Sequence, residues 1–134
     1  MKVLFVCSGN IGRSQMAMEY FKRYSNEPTA SAGTQVTVPG ERIGERDDAQ
    51  PVLQSMLADG MDMASNTRTP LTEEMLDHYD KVVVMAEPDR IPKWLSSSPK
   101  FEYWEVENVN GMTVDKVSVV REGIKERVRA LTQS

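Results

Sequence analysis

The chain has 134 residues, of which 40 % are apolar and 27 % charged, with a formal net charge of −4. That mass suits a single domain over residues 1–134 with a sizeable core, and the acidic balance argues against general affinity for nucleic acid or anionic membrane. The lone cysteine excludes an internal disulfide and fits a reducing cytoplasm, and no apolar run approaches membrane length or reads as a signal peptide.

Residues 3–6 (VLFV) make a short apolar run, which suits a strand buried on both faces. Cys7 stands where that strand ends. Gly9 and Gly12 follow, and glycine lets successive N–H groups turn inward on one point. Ser14 is placed to cap a helix over residues 14–24. Its Met16, Ala17, Tyr20, Phe21 and Tyr24 recur at helical spacing and are assigned to the core. Lys22 and Arg23 in the last turn complement the helix dipole. Residues 29–34 (TASAGT) read as a strand of small residues. Residues 35–50 carry no aromatic side chain and read as a loop long enough to have a function.

Pro51 opens a helix through Asp59, with Val52, Leu53, Met56 and Leu57 inward and Gly60 as its C′ residue. Residues 61–63 read as a short strand or turn, and residues 66–71 as a loop. Thr72 is placed to cap a short helix through His78, with Glu73 and Glu74 at its positive end. His78, the single histidine, is then a solvated helix-end residue. Residues 81–85 (KVVVM) form a second strongly apolar strand. Residues 87–95 read as a brief helix interrupted near Pro92. Residues 101–106 (FEYWEV) alternate as a last strand, and residues 107–112 are a loop without aromatics. Thr113 opens a long terminal helix on which Val114, Val117, Val120, Ile124, Val128 and Leu131 share a face. Asp115 lies near its start.

Strands alternating with helices predict an α/β three-layer sandwich. Its four-stranded parallel sheet is expected in the order 2-1-3-4, with helices on both faces. Ligands in such sheets bind beyond the carboxyl ends of the strands. The cysteine loop leaves the first strand at that edge, and the loop after Val106 leaves the last.

A cysteine ending an apolar strand is, taken alone, most often a small core residue. The spacing C-x5-R-S, with two glycines inside and a helix following, points elsewhere. A nest of N–H groups at a helix N-terminus holds an anion. Ser8, Gly9, Asn10, Ile11, Gly12, Arg13 and Ser14 are the phosphate-binding candidates. The guanidinium of Arg13 offers a planar fork for two oxygens of a tetrahedral oxyanion. A cation and a helix N-terminus favour thiolates, so Cys7 is the candidate nucleophile. No His/Cys/carboxylate cluster has ligand spacing, so neither a metal nor another cofactor is implied.

VLFVCSGNIGRSQMA resembles the low-molecular-weight protein tyrosine phosphatases and the related thiol-dependent arsenate reductases. SAGT at residues 31–34, GMDM ending at Met63 and YDKVVVM ending at Met85 fall where that family has similar segments. The resemblance implies a phosphatase that hydrolyses phosphomonoesters, protein phosphotyrosine among them, through a phosphocysteine intermediate. Its partner would be a phosphorylated protein or small molecule, with inorganic phosphate or a similar oxyanion held in the loop. An arsenate reductase using an external thiol and a weak oxyanion-binding module are the alternatives. Nothing in the chain sets an oligomeric state.

The family supplies a proton donor as aspartate–proline after the last strand. Here that pair aligns with Asn108 and Val109, and an amide transfers no proton. Glu107 is the candidate acid by adjacency, with Glu105 and Asp115 nearby; a solvated surface role for Glu107 is equally open. Aromatic walls for a phosphotyrosine ring are missing, and Trp94 suits half-buried packing. Relatives commonly carry a second cysteine where this chain has Gly12, so an internal disulfide relay is excluded. Ile11 resembles the phosphatase branch of the loop and Gln15 the reductase branch.

Overall fold

The computed structural model describes residues 1–133. Its centre is β1 (Val3–Cys7), in which all five residues are buried. It pairs in parallel with β2 (Thr29–Gly33) on one side and β3 (Lys81–Val84) on the other. Side chains alternate across a strand, so β1 serves two cores. Val3, Phe5 and Cys7 face α1 (Arg13–Tyr24), α2 (Gln50–Ala58) and α4 (Val114–Gln133). Leu4 and Val6 face Leu76, Val82, Val84 and Leu95, the last from α3 (Lys93–Ser96). That two-sided burial is why the run is apolar throughout.

The edge strand β4 (Phe101–Tyr103) pairs with β3, giving a parallel sheet in the order β2-β1-β3-β4. This is the three-layer arrangement the alternation of elements predicts. The register brings Cys7 level with Gly33, and Val6 level with Val84. The chain therefore leaves four strands at one edge of the sheet, and the loop bearing Cys7 emerges at its middle.

The structure differs locally from the sequence reading, and Leu57, expected inward on α2, is exposed. Ser14 does not cap α1: Gly12 is the N-cap, without a side-chain bond, and the Ser14 hydroxyl turns to Cys7 instead. The last strand stops at Tyr103 rather than Val106. Beyond Val84 its neighbour has left the ladder, and only the Trp104 N–H still reaches the Val84 carbonyl. Residues 61–63 form no strand, and the short helix ending at His78 is 3-10 in type. Pro92, which cannot continue a helix from before, separates a 3-10 turn (Pro88–Arg90) from α3. Gly60 takes φ 83° after α2, as a C′ residue does. Along α4, Val117, Ile124, Val128 and Leu131 are buried, while Val114 and Val120 are half-buried. His78 is exposed, and Trp94 packs half-buried against the second core.

Gly33 ties β2 to the cysteine loop. A Cβ there would lie 2.6 Å from the Ser8 carbonyl oxygen and 2.8 Å from Val36 Cγ2. Backbone cannot yield as a flexible side chain can. Gly33→Ala should cost about 1–3 kcal/mol, the usual range for overpacking. It should also weaken phosphate binding, because the displaced atom belongs to the loop. Urea denaturation with and without phosphate checks both effects; unchanged stability would show that the loop moves aside freely.

Candidate active site

Asn10 sets the shape of the loop after β1. Its φ is 58°, in the left-handed region that asparagine tolerates better than most residues. Its side chain locks that conformation. Nδ2 donates to Ser14 Oγ at 2.8 Å and to Ser31 Oγ at 3.0 Å. Oδ1 accepts from the Thr69 N–H at 2.8 Å. Gln15 Nε2 donates to the Asn10 carbonyl at 3.1 Å, which fixes the same turn from α1.

Cys7 Sγ lies 3.0 Å from Ser14 Oγ. That oxygen already accepts from Asn10, so its own proton is free to point at sulfur. The Ser8, Gly9, Asn10, Ile11 and Gly12 N–H groups make no hydrogen bond to any described residue. Backbone donors seldom stay unpaired, and here all but that of Asn10 belong to residues lining one pocket. The loop thus presents an array of free donors around a sulfur atom, the form of an anion cradle.

Arg13 is buried at the first turn of α1. Its Nη1 donates to the Met85 carbonyl at 2.6 Å, to Glu87 Oε2 at 2.8 Å and to the Val106 carbonyl at 3.2 Å. Nη2 donates to Glu87 Oε1 at 3.1 Å. The carboxylate therefore grips the end of the guanidinium. Nε–H and the second Nη2–H have no partner among the described residues, and these two form the fork along its side.

Glu87 does more than pair Arg13. Its Oε1 also accepts from Ser8 Oγ at 2.8 Å, so one carboxylate braces both ends of the loop. The hydrogen bond from Arg13 is the chief reason its pKa falls from the ordinary 4.5 to about 2, and the bond from Ser8 adds to it. The sequence reading passed over Glu87. The available signal was an acid just beyond a central strand's carboxyl end, at the edge where ligands bind.

A second brace lies behind the loop. Arg68 is buried and donates from Nε to the Gly9 carbonyl at 3.0 Å. Its Nη1 meets Glu41 Oε1 at 2.9 Å, and Arg46 Nη1 meets the same oxygen at 3.1 Å. Arg46 in turn grips Asp48 with two bonds, at 2.9 and 2.8 Å. These bonds hold the Asp48 carboxyl below its ordinary range. Alternating charges thus run from the loop to the rim. No local pattern marks Arg68, since its loop contact spans 59 positions.

The cavity over the sulfur measures about 320 Å³. Thr37, Arg46 and Asp48 line it from the segment after β2, and Arg90 from the turn after β3. Val52 comes from α2, and Asn108, Val109 and Asn110 follow β4. The long loop of residues 35–50 therefore builds one wall. No aromatic side chain is among the described lining residues. Glu107, the acid suggested by adjacency, is exposed and lines no part of the cavity. Val109 turns inward against Gly12, which leaves the rim to its neighbours Asn108 and Asn110. Glu105 and Asp115 are likewise exposed and away from the cavity. Among the described residues, no group of three or more His, Cys, Asp or Glu side chains is arranged to hold a metal.

Residues 2–134 match the family model for low molecular weight phosphotyrosine protein phosphatase. The chain belongs to that family. It is 31 % identical over 133 residues to a glutaredoxin arsenate reductase of Synechocystis sp., covering 97 % of this chain and 95 % of that one. A solved arsenate reductase in the phosphate-binding state is 27 % identical, with TM-score 0.80 and coverage of 98 % and 96 %. A low molecular weight protein tyrosine phosphatase from T. tengcongensis is 25 % identical, with TM-score 0.80 and coverage of 99 % and 98 %. Phosphatases and arsenate reductases thus share this fold and family, and the chain is an enzyme of that phosphatase-like kind. No described helix is long and apolar enough to cross a membrane.

The depressed pKa of Glu87 makes a pH prediction. The folded state prefers the ionised group, so its stabilisation is complete above about pH 4.5 and fades as pH falls toward 2. Glu87→Gln should flatten that acid limb and lower stability at neutral pH, as followed by urea denaturation across pH. An acid limb unchanged in the variant would remove Glu87 as its source.

Gly12 and Val109 make a second prediction. A Cβ on Gly12 would lie 2.6 Å from Val109 Cγ2. Gly12→Cys should therefore destabilise the fold by about 1–3 kcal/mol. Adding Val109→Ala should recover much of that loss. A double-mutant cycle with no coupling would sink this account.

Proposed function

We propose that this chain is a cysteine-dependent phosphatase that hydrolyses phosphomonoesters through a phosphocysteine intermediate. The observation that carries this reading is the free donor array around Cys7 Sγ, completed by the open fork of Arg13. Cys7 attacks phosphorus, and the loop amides and Arg13 hold the equatorial oxygens. Ser14 directs its proton to sulfur, which stabilises the thiolate before attack and after release. Water then hydrolyses the phosphocysteine. The partner is a phosphorylated molecule, and inorganic phosphate is the product that rests in the loop. With no aromatic wall, the pocket offers little to a phosphotyrosine ring.

A second reading is favoured by the relative of 31 % identity, a glutaredoxin arsenate reductase. In that case Cys7 attacks arsenate in the same cradle. With one cysteine in the chain, an external thiol must supply the reducing electrons. Hydrolysis of p-nitrophenyl phosphate without thiol supports the first reading. Arsenate reduction that depends on added thiol, without ester hydrolysis, supports the second.

Cys7→Ser should lose turnover while the fold and phosphate binding survive, since the hydroxyl keeps the shape without the thiolate. Turnover near that of the parent would remove Cys7 as nucleophile. Asn108→Asp should restore a proton donor at the rim. It should raise the rate for phenyl phosphate by about a hundredfold, the lower range of general acid catalysis, and for p-nitrophenyl phosphate by less. Equal gains for the two esters would show that the new carboxyl acts otherwise.

A further inference from the structure

The pocket has no ready proton for a departing oxygen. Among the described lining residues Asp48 is the one carboxylate, and Arg46 grips both its oxygens. Asn108 occupies the rim position after β4 with an amide. Alkoxide and phenolate leaving groups are strong bases and need that proton; a carboxylate does not, because its acid ionises near pH ~4.

The pocket does have a spare cation. Arg90 lines it and is exposed, and its guanidinium makes no hydrogen bond or ion pair with any described residue. Arg46 is engaged by Asp48 and Glu41, and Arg13 by Glu87. Arg90 is therefore the guanidinium left to meet an anion beyond the phosphoryl group. Its planar fork fits the two oxygens of a carboxylate better than the single oxygen of an alkoxide.

We propose that the site acts on acyl phosphates, the mixed anhydrides of carboxylic and phosphoric acids, with Arg90 receiving the departing carboxylate. This rests on the phosphatase reading and names its substrate class. The Cys7 thiolate forms a bond to phosphorus as the bond from phosphorus to the acyl oxygen breaks. The electron pair of that bond leaves on the carboxylate, which pairs with Arg90. Water then attacks the phosphocysteine, and the sulfur–phosphorus bond breaks with its pair returning to sulfur. Both protons of the water stay on the product, dihydrogen phosphate. Neither step requires a side chain in the pocket to give or take a proton.

The test compares benzoyl phosphate with phenyl phosphate, which carry the same ring, after subtraction of spontaneous hydrolysis. The parent should favour benzoyl phosphate in kcat/KM by about a hundredfold or more, the effect of a missing general acid. Asn108→Asp should narrow that ratio by speeding phenyl phosphate. Arg90→Ala should lower the ratio about tenfold, in keeping with a lost charge-assisted hydrogen bond. Arg90→Lys, which keeps the charge and loses the fork, should recover part of it. The inhibition constant of inorganic phosphate checks that the cradle remains formed in each variant. A parent without preference for benzoyl phosphate, or a ratio untouched by Arg90→Ala, overturns the proposal. If p-nitrophenyl phosphate is still hydrolysed in a Cys7-dependent way, only the acyl assignment falls. If Cys7→Ser hydrolyses every ester as the parent does, the phosphatase reading falls with it.

Discussion

The guanidinium of Arg13 is the point on which the ends of the central strands depend. The side chain opens α1, directly after the loop that leaves β1. Its acceptors are Met85 and Glu87 after β3, and Val106 after β4. One buried cation thus joins three of the four segments leaving the sheet at this edge. The fourth is joined by backbone, since Thr34 and Gln35 donate to the Cys7 and Ser8 carbonyls. A buried charge is costly unless its hydrogen bonds are made. The Glu87 carboxylate and two carbonyls make them, yet they leave one edge of the guanidinium unfilled. That edge is what a tetrahedral oxyanion completes.

The same arrangement explains how the loop keeps its donors free without collapsing. A row of unpaired N–H groups would ordinarily find carbonyls by rearranging. Here the alternatives are blocked from behind. Asn10 is held in its left-handed turn by Ser14, Ser31, Thr69 and Gln15. The Gly9 carbonyl is held by Arg68. Rigidity comes from side chains that never face the cavity, and the cost of orienting the donors is met on folding rather than on binding.

Much of this was legible in the sequence, for identifiable reasons. The apolar runs at residues 3–6 and 81–85 mark the two inner strands because both their faces are buried. The cradle was legible because its residues are consecutive, so spacing alone carries the geometry. What escaped were the braces. Glu87 reaches the loop from beyond the end of β3, and Arg68, backed by Glu41, from a segment 59 positions away, and no local pattern encodes either contact. β4 was overextended because FEYWEV alternates to its end, while the strand ends where its partner turns away to enclose Arg13. Glu107 was favoured by adjacency, but inward packing at Val109 decides which side chains reach the rim.

Positions 12 and 109 meet in one packing contact beside the cysteine loop. The family resemblance implies a proline at position 109, where this chain has Val109, and a second cysteine at position 12, where it has Gly12. The two positions touch: the Val109 methyl occupies the space that a side chain on Gly12 would need. Val109 as it is seated here therefore requires a bare backbone at position 12. With Val109 seated on the loop, Asn108 Oδ1 accepts the Asn110 N–H at 3.0 Å and folds the rim into a tight turn. The Asn108 amide thus has a structural bond of its own. The braces of the cradle do not pass through residues 108 or 109. The side chains that brace the cysteine loop and those that form the rim after β4 thus lie on separate parts of the molecule.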